Sequence, residues 1–247
     1  MIQNKKTALI SGGSRGIGRA IAIKLAQSGY DIAITYHQAT EEADKTLSEL
    51  TKAGANAFKI KADFSKQGEV ANAFKQFSKV FNCLDVLINN AGWTQYIEHK
   101  KLDDLTEDIF DKIISIHFKS VFQCCSEAIK LMKNDSGTII NITSIAAYNA
   151  VGSNIAYCAA KAATNNMTKS LSRALGPKIR VNGIAPGLTE TDMTLSAPAA
   201  YRKEQTEITA LNRLATPEDI ADTALSLIET MTFVNGKTII VDGGRIY

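Results

Sequence analysis

Short runs of Ile, Val, Leu and Ala, bounded by Gly, Asn, Asp or Ser, alternate along the chain with longer stretches whose apolar positions recur at helical spacing. The runs KTALISG (6–12), YDIAITY (30–36), NAFKIKA (56–62), LDVLINN (84–90), GTIINITS (137–144), KIRVNGIA (178–185) and KTIIVDG (237–243) predict seven strands. Between them the spacing predicts helices near 16–28, 40–53, 67–81, 105–132, 155–175 and 217–229. Several strand runs are apolar at almost every position rather than at every second one. A strand reads that way when helices cover both its faces, so the pattern is that of βαβ units in a doubly wound parallel sheet. No internal repeat, low-complexity tract or linker divides the chain, and residues 1–247 are expected to form one α/β domain. The one long connection without a strand, 186–216, predicts a functional element with short helices, a lid over about 188–214.

Composition removes several classes of function. With 247 residues, 45% hydrophobic and 21% charged, the chain can bury a large core. Its 28 basic and 25 acidic side chains leave a net charge of +3 without blocks of like charge, so nothing in the chain asks for nucleic acid. The first residues pass from a short basic segment into a strand run without the apolar region of a signal peptide. No stretch approaches the roughly 18 apolar residues of a membrane span, so no membrane role is expected. Cys83, Cys124, Cys125 and Cys158 show neither metal-ligand spacing nor a disulfide framework. They read as buried structural thiols of a reduced, cytoplasmic protein that needs no metal.

The segment SGGSRGIGRAIAIKLAQSG (11–29) follows the first strand and opens the first helix, with Gly12, Gly16 and Gly18 at the turn. Glycine permits a sharp turn and close backbone approach to a pyrophosphate, and the helix amino end offers unpaired N–H groups to the anion. Strand, turn and helix together predict a dinucleotide site built on Gly12, Ser14, Arg15, Gly16, Ile17 and Gly18. Charge selects the dinucleotide. An acid at the end of the second strand would bind a ribose 2′-hydroxyl and repel a 2′-phosphate. Here that strand ends in Tyr36 and His37, no acid appears before Glu41, and Arg15 stands in the turn. The expected cofactor is NADP(H), because guanidinium suits phosphate.

Tyr157 and Lys161 stand four apart on a predicted helix and so share a face. Free tyrosine titrates near about 10, too high for ready proton exchange at neutrality. An ammonium about 4 Å away would favour the phenolate by about 4 kcal/mol at an effective dielectric of about 20, with desolvation opposing it. The pair therefore reads as a general acid and the cation that tunes it. Thr143 and Ser144 both offer hydroxyls at the end of the fifth strand run.

The spacing Gly12-x-x-x-Gly16-x-Gly18, the NNAG of Asn89–Gly92, the Ser144, Tyr157 and Lys161 set, the Pro186–Gly187 pair and VDGG at Val241–Gly244 resemble the short-chain dehydrogenase/reductase family over nearly the whole chain. Ser11 replaces the family's threonine and keeps a hydroxyl. The resemblance implies a single Rossmann domain with strand order 3-2-1-4-5-6-7 and NADP(H) across the switch point. It implies that Asp63 contacts adenine, that Asn89 helps hold the adenosine side, and that Asn90, Ala91 and Gly92 border the cofactor. Pro186, Gly187 and Thr189 would turn the chain toward the nicotinamide carboxamide, with Thr191 either joining them or serving the loop alone. The family spacing selects Ser144 over Thr143 to hold the substrate oxygen. Tyr157 would then protonate that oxygen, while Lys161 lowers the tyrosine pKa and binds the nicotinamide ribose.

One position departs from the family. Its relay asparagine is replaced by His117, which either keeps a modified proton relay and changes charge near about pH 6.5, or simply packs. Met193, Leu195, Pro198, Ala199, Ala200 and Tyr201 form an apolar lid candidate. Trp93 either lines the same cavity or packs in the core. The chain looks most like the subgroup of bacterial 3-oxoacyl-(acyl-carrier-protein) reductases, which use NADPH to reduce a ketone to a secondary alcohol. A homotetramer is implied by the resemblance. Arg173, Lys130 and Lys133 offer a basic edge to an acidic acyl-carrier protein or are ordinary solvated charges. Two alternatives stand beside this reading: a dehydrogenase of a sugar, polyol, steroid or other small ketone, and a non-catalytic NADP(H)-binding regulator.

Overall fold

The computed structural model describes residues 5–132, 136–195 and 199–245, with the side chains of Met193 and Leu195 excepted. Of the lid residues, Pro198 lies outside the described residues, as does Lys133 of the basic edge.

Seven parallel strands form one sheet in the order β3-β2-β1-β4-β5-β6-β7, as expected. They are β1 (Thr7–Ile10), β2 (Asp31–Tyr36), β3 (Ala57–Lys61), β4 (Val86–Asn89), β5 (Gly137–Ile142), β6 (Ile179–Pro186) and β7 (Thr238–Val241). The helices are α1 (Gly16–Gln27), α2 (Thr40–Lys52), α3 (Glu69–Phe77), α4 (Glu107–Ile114), α5 (Ser120–Leu131), α6 (Ala146–Asn149), α7 (Ile155–Leu175), α8 (Asp192–Leu195), α9 (Ala199–Glu207) and α10 (Pro217–Glu229).

Alternation along each strand divides the core. Ala8, Ile10, Ile32, Ile34, Val86, Ile88, Ile140 and Ile142 point to the face covered by α1, α2 and α10. Leu9, Ala33, Leu87, Ile139 and Val181 point to the face covered by α3, α5 and α7. Both faces are dry, which is why the strand runs carry no polar alternation. Each fully buried Leu or Ile contributes roughly 1.5–3 kcal/mol of transfer free energy.

The long helix expected over 105–132 is interrupted. Thr106 caps α4 by accepting a hydrogen bond from the Ile109 N–H. Residues Ser115–Lys119 then form a π-turn, closed by the Ser120 N–H donating to the Ser115 carbonyl five residues back. His117 sits in this wider turn. The connection after β6 contains α8 and α9, the short helices expected of a lid. Reversal of chain progression between β1 and β4 opens a crevice at their carboxyl ends.

Candidate active site

The turn after β1 is packed so closely that side chains are excluded. A Cβ on Gly12 would lie 2.9 Å from the Ala91 Cα, and one on Gly13 would lie 2.6 Å from the Ile34 side chain. A Cβ on Gly18 would fall well inside contact with the Gly12 carbonyl oxygen and the Asn90 amide. Gly12 and Gly16 also have φ of 65° and 53°, in the left-handed region that glycine adopts freely. No side chain caps the amino end of α1, so its first N–H groups remain available to an anion. This cradle fits a pyrophosphate.

The turn is anchored on both sides. The Ser11 hydroxyl accepts from the N–H groups of Asn90 and Ala91, both at 2.9 Å. The Asn90 amide donates to the carbonyls of Ser11 and Gly12 at 3.1 and 2.9 Å. The Gly12 N–H donates to the Thr35 hydroxyl at 3.2 Å, and the Ser14 carbonyl accepts from Thr46 at 3.0 Å. Ile17 leans into the core on the α1 face. Asn89 corrects the expectation drawn for it. Its side chain is buried beneath the crevice, donating to Asn141 at 2.9 Å and to the Cys125 sulfur at 3.4 Å, because an inward β4 position faces α5 and β5.

At the outer end of the crevice the Tyr36 ring lies under the Lys59 ammonium. His37 Nε2 lies 3.5 Å from the Asp63 carboxylate, and Lys66 approaches the same oxygen at 3.9 Å. Asp63 accepts from the hydroxyl and N–H of Ser65 at 2.6 and 3.0 Å. Burial raises its pKa, but the Ser65 bonds and the nearby His37 and Lys66 outweigh it and hold the carboxyl below its usual range. Arg15 Nη1 lies 3.7 Å from Asp192 at the start of α8.

The catalytic candidates converge from three elements. Ser144 ends the β5 run, with its hydroxyl beside Tyr157 and accepting from the Ala146 N–H at 3.1 Å. Thr143 instead points inward and donates to the Ile184 carbonyl at 3.1 Å. Lys161 Nζ lies 5.7 Å from the centre of the Tyr157 ring and donates to the Ile142 carbonyl at 2.7 Å. Asn154, which the sequence reading missed, aims the helix. Its side chain accepts from the Tyr157 N–H at 2.8 Å as the N-cap of α7 and donates to the Gln95 carbonyl at 2.8 Å. An asparagine directly before an apolar helical run was the available signal.

Burial changes the expected charge tuning. Lys161 is pushed down to about 7 by burial, and burial likewise raises Tyr157, with the Ser144 hydroxyl opposing it. The expected lowering of the tyrosine by a full ammonium charge is therefore absent, because the same desolvation penalises both charged forms.

His117 is packed, 4% exposed, with its ring edge-on to Tyr157 at 5.1 Å and 86°. Nε2 lies 2.7 Å from the Trp93 carbonyl, the contact of an Nε2–H donor, leaving buried Nδ1 without a partner among the described residues. Burial first and the Lys161 charge second depress its pKa to about 3. The imidazole is thus neutral across the physiological range, correcting the expectation of a charge change near neutrality. Gly92 makes room for it: a Cβ there would lie 2.8 Å from the ring. Trp93 packs against the Ile113, Ala156 and Tyr157 cluster with Lys112 Nζ 3.8 Å over its ring.

On the far side, the Pro186 carbonyl accepts from the Ile145 N–H at 3.1 Å, and the Gly187 N–H donates to the Val241 carbonyl at 2.8 Å. Thr189 is buried and donates to the Gly187 carbonyl at 3.1 Å. Thr191 rests against the glycine turn, its Cγ2 3.3 Å from where a Gly16 Cβ would stand. None of the four cysteines forms a disulfide; Cys124, Cys125 and Cys158 are buried, whereas Cys83 is partly exposed, contrary to expectation. Among the described residues no cluster of His, Cys, Asp or Glu could hold a metal, and no helix is long and apolar enough to cross a membrane.

Residues 12–245 match a family model described as enoyl-(acyl carrier protein) reductase. A 3-oxoacyl-(acyl-carrier-protein) reductase of Staphylococcus epidermidis is 35% identical over 97% of this chain and 98% of its own. A short chain dehydrogenase from Burkholderia cenocepacia J2315, solved in complex with NADP, superposes with a TM-score of 0.90 at 34% identity and 98% coverage of both chains. An angucycline C-6 ketoreductase with bound NADP superposes equally well, TM-score 0.90, at 31% identity over 97% of this chain and 95% of that one.

Proposed function

The chain belongs to the short-chain dehydrogenase/reductase family, and from that premise we propose how its site divides the work. The protein is an NADPH-dependent oxidoreductase that reduces a ketone to a secondary alcohol, with a 3-oxoacyl thioester as the favoured substrate class. When bound, the nicotinamide supplies hydride to the carbonyl carbon. Gly12, Ser14, Gly16, Ile17 and Gly18 would cradle the pyrophosphate, Arg15, Tyr36 and His37 the 2′-phosphate end, and Asp63 the adenine. Ala91, Gly92, Pro186, Gly187 and Thr189 would border the remainder, with Asn90 holding the turn in shape.

The observation that carries the catalytic reading is the meeting of Ser144, Tyr157 and Lys161 at the open end of β5. Ser144 would donate to the substrate oxygen, Tyr157 deliver its proton, and Lys161 replace that proton while holding the nicotinamide ribose. His117, neutral and bonded to the Trp93 carbonyl, would steady the Tyr157 ring. The test is NADPH and NADH consumption against acetoacetyl thioester, quinone, sugar and steroid ketones. Turnover of the thioester with NADPH as the better donor is expected. Binding of NADP(H) with no turnover of any ketone would favour the regulator reading.

The acyl-carrier protein and the tetramer belong to the same proposal. Lys130 is paired with Glu127 at 2.7 Å, which leaves Arg173 on α7 as the stronger basic contact for an acidic carrier. Phe110 and Phe122 are exposed on α4 and α5, apolar surface suited to a second copy. Light scattering is expected to give a tetramer, and a Phe122→Glu variant a smaller species.

A further inference from the structure

We propose that Asp192 is a cofactor-specificity residue: as the internal counter-ion of Arg15, it competes with the 2′-phosphate of NADP(H) and links cofactor choice to the lid. This rests on the reading that Arg15 receives that phosphate. The lid begins on the cofactor turn itself. Thr189 bridges to Ala215, the Glu190 N–H donates to the Ala215 carbonyl at 2.8 Å, and Thr191 rests on Gly16. Asp192 follows immediately, with its carboxylate on the Arg15 guanidinium. Both side chains are largely exposed, 64% for Arg15 and 73% for Asp192, so the pair is weakly held and open to exchange.

The other basic side chain of this end is held differently. His37 faces Asp63, which two bonds from Ser65 fix in place on the β3–α3 connection. Asp63 cannot withdraw without breaking those bonds, whereas Asp192 stands at the start of a four-residue helix. A 2′-phosphate brings up to two negative charges and several acceptor oxygens that a planar guanidinium can bind in pairs, which outcompetes a single exposed carboxylate. Arg15 then leaves Asp192, and the displaced carboxylate lies near like charge. NAD(H), lacking the phosphate, leaves the ion pair and the lid's anchor on the turn intact.

The experiment measures NADP+ and NAD+ dissociation constants by intrinsic fluorescence for the wild-type chain, Asp192→Asn, Arg15→Ala and the double variant. Asp192→Asn is expected to tighten NADP+ about two- to fivefold and leave NAD+ unchanged, as suits an exposed ion pair. In the Arg15→Ala background the same substitution is expected to lose most of that gain. Trypsin cleavage after Arg202 or Lys203 in α9 is expected to be faster with saturating NADP+ than with NAD+. Arg15→Ala weakening NADP+ selectively while Asp192→Asn changes nothing would overturn this inference alone. If Arg15→Ala weakens both dinucleotides equally, the assignment of Arg15 to the phosphate fails, and this inference with it.

Discussion

The glycine turn after β1 and the cluster of His117, Tyr157 and Lys161 border one crevice, yet they are held by different means. In the turn, Ser11, Asn90, Thr35 and Thr46 engage one main-chain group after another, and the approach of Gly18 to Gly12 leaves no room for a methyl group. In the catalytic cluster, space is filled but polarity is not. Among the described residues Lys161 has one carbonyl to donate to and His117 Nδ1 has no partner, and burial moves the pKa of His117, Tyr157 and Lys161 toward the neutral form. The first region is specified by steric exclusion and the second by withheld solvation. Each should therefore fail under a different kind of substitution: an added methyl in the turn, a lost oxygen or nitrogen in the cluster.

The largest effect is expected from one oxygen atom. Tyr157→Phe keeps the ring against His117 and Lys161 but removes the proton donor. Ketone reduction should fall by about 10²–10⁴, the usual range for a lost general acid, while NADP+ affinity stays within about twofold. A variant retaining a tenth or more of the wild-type rate would end the assignment of Tyr157 as the acid. Next comes the added methyl. Gly18→Ala forces a Cβ onto the Gly12 carbonyl, a backbone atom that cannot rotate away, and should cost about 1–3 kcal/mol of stability together with most of the NADP+ affinity. Denaturant unfolding and fluorescence titration read the two separately.

How far the sequence revealed these regions follows from the same distinction. Glycine spacing is written in the chain, because no other residue fits, so the turn, the parallel sheet and both helix-covered faces were legible from residue types, whereas the strand order came only through the family resemblance. Ser144 was separable from Thr143 only through family spacing; the structure shows the physical difference, one hydroxyl beside Tyr157 and the other turned inward onto the Ile184 carbonyl. The π-turn at Ser115–Lys119 was not legible. Its apolar positions continue the helical rhythm on both sides, and one extra residue per turn leaves no mark in a pattern of this length. Nor was the balance of charge around Tyr157 and Lys161, since pair spacing reveals proximity but not how much water has been removed.

His117 lets that balance be measured through stability. The folded ring titrates at about 3, against roughly 6.5 for an unfolded imidazole. Between those values the unfolded chain binds a proton that the folded chain does not, so this contribution to stability is lost as pH falls. The loss from pH 8 to pH 5 should be about 2 kcal/mol. His117→Asn should flatten the acid side of the stability curve by that amount. Lys161 acts at the other end: folded at about 7 and unfolded at roughly 10.4, it makes stability rise with pH across that window. Lys161→Met should remove the alkaline rise and, by taking away the charge that helps depress His117, lessen the acid-side loss without abolishing it. Identical curves for all three proteins would mean that water reaches these groups and the cluster is not dry.

The smallest effect concerns how the π-turn survives beside that cluster. A π-turn breaks the four-residue hydrogen-bond ladder and strands carbonyls that α-geometry would satisfy. Two hydroxyls compensate: Ser120 donates to the Ile116 carbonyl at 2.6 Å, and Thr164, on α7 with Tyr157 and Lys161, shares its proton between the His117 carbonyl at 2.8 Å and the Ala160 carbonyl at 2.9 Å. Thr164→Val keeps shape and β-branching but leaves the His117 carbonyl buried without that donor. A cost of about 1 kcal/mol is expected, with a fall in turnover of less than tenfold and an unchanged NADP+ affinity. Ser170→Ala on the same helix supplies the control, because the Ser170 hydroxyl only bonds back to the Asn166 carbonyl at the exposed surface and should cost nearly nothing. If the two variants behaved alike, the turn would not depend on Thr164, and the helix that carries the catalytic pair would not be what holds His117 in place.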